Sequence, residues 1–329
     1  MNNKHSTQND DSRIACSIIM PCYNVEVHIG KAIESVLQQS LTNFELLVVI
    51  DGSPDNSQKI AEEYAVKDSR IKILSKENGG VSSARNFGLK NASGKYIYFI
   101  DPDDWIESDL LEKNIALLES EQSDLVVFGI FNTYDGVVKS KLELKSQTIV
   151  NGQSFELLRD ELKAFGYSWN KIYKKEIIDK NNLRFNEALP LWEDCVFNFS
   201  YLKNTSSYTL SSSCYYYYNI YEGSASHKSY PDYTRYIQAY QDAALAFIEK
   251  YNPVNKSASH VFVYSLFLDV LYSELIKNKN TLFKSQFASY FDKVKNLSFS
   301  GLPFKKVIVY YAVRYRLYFL LTIYRKLKH

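Results

Sequence analysis

The sequence is short of the residues that announce several common chemistries. Only four cysteines occur, Cys16, Cys22, Cys195 and Cys214. They form no CxxC pair and no zinc-ligand spacing, which excludes a disulfide framework and a structural zinc and leaves reduced thiols as the expectation. Neither GxxxxGK[ST] nor GxGxxG is present, so P-loop and dinucleotide-binding readings lose their main support. An excess of one charge is missing too: 39 Lys and Arg face 37 Asp and Glu, for a formal charge of +2. A nucleic-acid binder needs a basic surplus for its phosphate contacts, so no nucleic acid is expected as a partner. No uninterrupted apolar run reaches the roughly 18 residues of a membrane span. The first 13 residues are polar and charged, without the apolar segment of a signal peptide. A disordered tail over 1–13 and a cytoplasmic location are therefore expected. Internal repeats and low-complexity linkers are absent.

What is present suffices for a large core. The 329 residues are 46% hydrophobic, enough for two domains or for one domain with an extension. From residue 14 two periods alternate. Strand-like runs "IACSIIM" (14–20), "FELLVVI" (44–50), "IKIL" (71–74), "YIYFI" (96–100) and "DLVVFGI" (124–130) are separated by helical patterns over 28–39, 57–67, 81–92 and 107–121. This pattern predicts an α/β fold, a mostly parallel sheet flanked by helices. After residue 130 the alternation fades. "FNTYDGVVKSKLEL" reads as a hairpin turning at Asp135-Gly136, a helix is expected over 153–164, and long amphipathic helical stretches over 231–251 and 257–277. The predicted organisation is an α/β domain over 14–230 and a helical C-terminal region over 231–329.

In such sheets ligands sit beyond the carboxyl ends of the strands, and three polar clusters fall there. The first is Pro21-Cys22-Tyr23-Asn24, the second Asp51-Gly52-Ser53, and the third Asp101-Pro102-Asp103-Asp104. Asp101 and Asp103 could present hard oxygen ligands to Mn²⁺ or Mg²⁺, which would neutralise a diphosphate. The competing reading makes Asp103 or Asp104 the cap of a helix beginning near Ile106. Asp51 could accept a hydrogen bond from a base N–H while Tyr23 offers a stacking face, or it could merely belong to a turn. In "NGGVSSARN", Asn78, Gly79 and Gly80 precede a helix whose first amides could face an anion. Arg85, one turn in, could reach a phosphate or brace the acidic triad. Glu193 and Asp194 suit the dipole of a helix start; alternatively Asp194 is a general base, with Trp192 shielding it or stacking on a sugar. His227, in a loop-like stretch after a Tyr-rich segment, is a candidate third metal ligand or phosphate contact. After Asp292 no acidic residue remains while nine Lys or Arg follow. The aromatic segment 303–329 therefore reads as a basic amphipathic helix on an anionic membrane surface, or as one packed on the protein.

In order and spacing, "SIIMPCYN", "FELLVVIDGSPDNS", "NGGVSSARNFGL", "GKYIYFIDPDDW" and "WEDCVF" resemble the family 2 glycosyltransferases of the GT-A fold. The resemblance covers residues 14–199 and implies inverting transfer of a sugar from a nucleotide-diphosphate donor, a UDP-sugar in the favoured case. It implies that Pro21, Tyr23 and Asp51 hold the nucleotide, that Asp101 and Asp103 are the metal-binding DxD pair, and that Asp194 is the general base. The acceptor would be a glycan or a lipid-linked hydroxyl in cell-surface polysaccharide synthesis, reached from the inner face of the plasma membrane. Where the family often has two adjacent acids at the second strand end, Ile50 takes the first place. Where many relatives carry an Arg after the Tyr-rich strand, this chain has Asn219. A non-catalytic nucleotide-sugar-binding protein that keeps the fold is the alternative.

Overall fold

The computed structural model describes residues 14–150, 162–221, 239–240 and 242–247. The chain divides into two units, residues 1–150 with 163–224 and residues 151–162 with 225–329. Of the second unit, 242–247 are helical; the rest of this section concerns the first. The tail 1–13, His227 and the basic segment 303–329 lie outside the described residues. So does most of the helix expected over 153–164 and of the stretches 231–251 and 257–277.

The first half alternates as the sequence pattern requires. β1 (Cys16–Cys22), α1 (Ile29–Leu37), β2 (Phe44–Asp51), α2 (Ser57–Ala65), β3 (Ile71–Lys76), α3 (Val81–Asn91) and β4 (Tyr96–Phe99) follow one another. β1, β2 and β4 are buried along their whole length, as strands covered on both faces must be, which is why they read as continuous apolar runs. α1 buries Ile29, Ala32, Ile33 and Val36, a stripe at helical spacing that packs on the sheet. The second half comprises β5 (Trp105–Ile106), α4 (Leu110–Ser120), β6 (Leu125–Tyr134), β7 (Val137–Leu142), β8 (Gln147–Val150) and a 3-10 turn at Leu162–Gly166. It ends with β9 (Lys171–Lys174), α5 (Lys175–Lys180), α6 (Glu193–Lys203) and β10 (Ser207–Ile220).

These strands form one sheet in the order β3-β2-β1-β4-β9-β6-β10-β5, with β7 beside β6 and β8 beside β10. β3, β2, β1 and β4 are parallel. Beyond β4 the sheet is mixed, because β9 enters antiparallel between β4 and β6 while β10 runs parallel to β6. The β6–β7 hairpin turns at Asp135 (φ 48°) and Gly136 (φ 77°), the paired positive φ of a tight hairpin turn.

One expectation is corrected here. No helix begins at Ile106: Trp105 and Ile106 pair with Tyr217 and Tyr216 of β10, and α4 starts at Leu110 with Asp109 at its N-cap. Asp104 is therefore not a helix cap. It is buried, and its carboxylate accepts from the Tyr216 hydroxyl at 2.5 Å and the Asn219 amide at 2.7 Å.

Candidate active site

Parallel register sets the site. Cys22 lies opposite Ile50 and Ile19 opposite Phe99. Continuing each pairing by one or two residues brings Tyr23 beside Asp51 and Pro21 beside Asp101. All three strand-end clusters thus share one sheet edge. Pro21 tolerates its place inside β1 because the β1–β4 ladder ends at Ile19 and Phe99, so its missing N–H leaves no ladder bond unmade. It is buried, whereas Tyr23 is half exposed (51%).

Asp51 is buried and already engaged. Its Oδ1 accepts from Lys76 Nζ at 2.6 Å and the Gly79 amide at 3.0 Å, and its Oδ2 from the Gly80 amide at 2.8 Å. The anion facing the start of α3 is thus Asp51 itself. Asn78 is placed on the same residue, donating from Nδ2 to the Asp51 carbonyl at 2.9 Å. Gly52 makes this approach possible: its φ is +62°, and a Cβ there would meet the Asn78 backbone nitrogen at 2.8 Å. Ile50, in the place where the family often has an acid, belongs to the core.

Next to this knot the 24–26 and 53–57 segments clasp each other. Ser53 Oγ accepts from the Asn24 amide at 2.8 Å and donates to Asp55 at 2.6 Å. Asp55 also accepts from the Glu26 and Ser57 amides. Burial alone would raise the Asp55 pKa, but the hydrogen bonds from Ser53, Ser57 and Glu26 outweigh it and hold the group at about 2.

The acidic end of β4 meets the start of α6 through Arg85. This side chain sits on the buried face of α3 with Ser82, Gly88 and Leu89. Its Nη2 donates to Asp101 Oδ1 at 3.1 Å; its Nη1 donates to Asp194 Oδ1 at 2.5 Å and Glu193 Oε1 at 3.0 Å. Burial would lower the guanidinium pKa, but Asp194, Asp101 and Glu193 together raise it, so the charge is permanent. Although 26% of the Asp101 side chain remains accessible, close packing around the carboxylate pushes it up to about 6, helped by Asp103 and Asp194 and opposed by Arg85. Burial and the adjacent Asp194 raise Glu193 as well, against the pull of Arg85. Asp194 Oδ2 accepts from the Ser168 amide at 3.1 Å and from Ser168 Oγ at 3.0 Å. Both oxygens of the predicted base are thereby oriented. The preceding residue, Trp192, holds φ 61°, a left-handed conformation that is costly for a large side chain.

Asp103 points elsewhere. Burial raises its pKa, and its Oδ2 accepts from the Tyr221 hydroxyl at 3.1 Å; Tyr221 in turn lies against His28, ring centroids 4.6 Å apart. Among the described residues no three His, Cys, Asp or Glu side chains converge on one point. Asp101 and Asp103 are oxygen donors of the kind a hard cation takes, the remaining oxygens coming from a diphosphate and water.

Sequence reasoning missed Ser168, Tyr216 and Lys76. Only Arg85 carried a local signal: a cation in the apolar stripe of its helix has to find anions inside. A family model described as glycosyl transferase family 2 matches residues 17–181. The chain belongs to glycosyl transferase family 2. This glycosyltransferase is 34% identical over 257 residues to the protein named "Uncharacterized glycosyltransferase EpsJ" of Bacillus subtilis (strain 168), covering 75% of this chain and 74% of that one. It is 30% identical over 209 residues to the poly(ribitol-phosphate) beta-N-acetylglucosaminyltransferase TarP of Staphylococcus aureus (strain N315). That match spans 61% of each chain, less than two thirds of TarP. Among solved structures, S. aureus TarS 1-349 in complex with UDP-GlcNAc superposes with a TM-score of 0.70 at 23% identity, over 86% of this chain and 82% of that one. The shared fold is GT-A, an α/β sheet with flanking helices. No helix among the described residues is long and apolar enough to cross a membrane.

Proposed function

We propose that this glycosyltransferase moves a sugar, with inversion, from a UDP-sugar to a hydroxyl of a glycan or lipid-linked acceptor in cell-surface polysaccharide synthesis. The observation that carries the reading is the Arg85 bridge. It joins Asp101, at the strand end suited to the donor diphosphate, to Asp194, at the start of α6. TarP and TarS, by their names and bound ligand, support a UDP-activated N-acetylhexosamine as the donor class.

Asp51 and Tyr23 receive the uridine. The carboxylate, fixed by α3, keeps one Oδ2 lone pair for a base N–H, and the half-exposed Tyr23 ring offers a face for stacking. Asp101 and Asp103 would hold Mn²⁺ or Mg²⁺, which would supply Lewis-acid stabilisation of the departing diphosphate. Asp194 takes the proton from the acceptor hydroxyl, held to one orientation by Ser168 and Arg85. Inversion needs a single in-line displacement, so one base suffices. His227 would complete the cation's ligand set. The basic segment 303–329 would bring the enzyme to the cytoplasmic face of the membrane; its support is the sequence pattern.

Two measurements test the reading. Asp194→Asn should cut transfer by about 10²–10⁴-fold with the fold retained; full activity in that variant would sink the base assignment. Turnover should fall away in excess EDTA and return with Mn²⁺, and undiminished turnover would refute the metal.

A further inference from the structure

A layer of parallel aromatic rings adjoins this site. Trp169 stacks on Tyr216 with centroids 4.2 Å apart and planes at 11°, and on Tyr167 at 4.4 Å and 18°. Tyr218, two residues beyond Tyr216 on the same face of β10, lies parallel to Trp169 at 5.4 Å. Tyr216 and Trp169 are buried (0% and 2%), while Tyr167 and Tyr218 remain half-buried. The layer is tied to the acids at both ends. The Tyr216 hydroxyl donates to Asp104 and accepts from the Asp101 amide. Ser168, between Tyr167 and Trp169, grips Asp194 through its amide and its hydroxyl. The Tyr167 backbone is pinned as well, its carbonyl accepting from Asn198 Nδ2 at 2.9 Å and from the buried Lys171.

We propose that Tyr167, flanked by Tyr218, is the platform on which the terminal pyranose ring of the acceptor stacks, its accepting hydroxyl turned to Asp194. The inference rests on the reading of Asp194 as base and names the acceptor class for it. An aromatic face carries negative charge density and favours the C–H face of a flat, cyclic sugar. Tyr167 is the chain neighbour of Ser168, which bonds Asp194 through its amide and its hydroxyl.

Ring shape points the same way. An open-chain polyol would lose more conformational freedom on binding than a preformed ring. The acceptor class is thus a pyranoside, not an open-chain polyol.

Saturation-transfer NMR on the full chain, with UDP and diamagnetic Mg²⁺ present, tests this with a panel of methyl hexopyranosides and ribitol 5-phosphate. The expected result is saturation of the ring C–H protons of at least one pyranoside and none for ribitol 5-phosphate. Binding should be retained in Tyr167→Phe and weakened about tenfold in Tyr167→Leu, with both variants showing the parent's cooperative melt. Equal binding by the Leu variant, no pyranoside signal, or a stronger signal from ribitol 5-phosphate overturns the proposal. UDP is observed in the same spectra: absence of UDP saturation would count against the nucleotide-sugar reading, whereas UDP saturation without pyranoside saturation counts against the platform alone.

Discussion

Arg85 donates to Asp194 at 2.5 Å across 109 residues of sequence and holds Asp101 at 3.1 Å with its other terminal nitrogen. One buried guanidinium thus fixes the distance between the donor end and the acceptor end of the proposed reaction. Replacing it with Met leaves Asp101, Glu193 and Asp194 uncompensated, which should cost about 3–5 kcal/mol of stability. Lys keeps the charge but offers no planar fork to span both acids. Arg85→Lys should therefore fold yet lose about 10²-fold in kcat/KM through misplacement alone. Thermal melts and steady-state kinetics of the two variants check both statements.

Tyr216 ties the DxD turn to β10, since its buried hydroxyl bonds both Asp104 and the Asp101 amide. Tyr216→Phe removes that atom without a cavity. A loss of about 1–3 kcal/mol in unfolding free energy is expected, together with a higher Mn²⁺ concentration for half-maximal activity. An unchanged Mn²⁺ requirement would separate this hydroxyl from the cation site.

Asp51→Asn tests the strand-end knot. The carboxylate accepts three hydrogen bonds, and an amide turns one oxygen into a donor facing another donor. The expected outcome is a stability loss of about 1–3 kcal/mol and a raised donor KM with acceptor KM unaffected, read from initial rates.

Asp55 supplies a pH signature. Its folded pKa of about 2 lies below the ordinary 3.8, so the native state holds the proton less tightly than the unfolded chain. Its stabilisation is full above pH 4 and is lost as pH falls through 2. The melting-temperature gap between the parent and Asp55→Asn should be constant from pH 7 to 5 and narrow steadily below pH 4. A gap that stayed constant to pH 3 would remove Asp55 from the clasp.

The sequence by itself determined the alternating elements of the first half, the Asp135-Gly136 hairpin, and the set of acids that ends the strands. These follow from local periodicity and turn chemistry, which a short window contains. The motifs over 14–199 carried the family on the same basis. Only the tertiary structure decided which groups each acid contacts. Asp104 looked like a helix cap because caps and strand-end acids share a local pattern; its burial beneath Tyr216 depends on β10, more than a hundred residues on. The mixed half of the sheet, with β9 inserted between β4 and β6, has no signature in hydrophobic period, since a strand buried on both faces reads alike in either direction. That insertion carries Ser168 and the Tyr167–Trp169 stack to Asp194. Contacts between distant segments are set by how the layers pack, and the spacing of residues along the chain does not encode them.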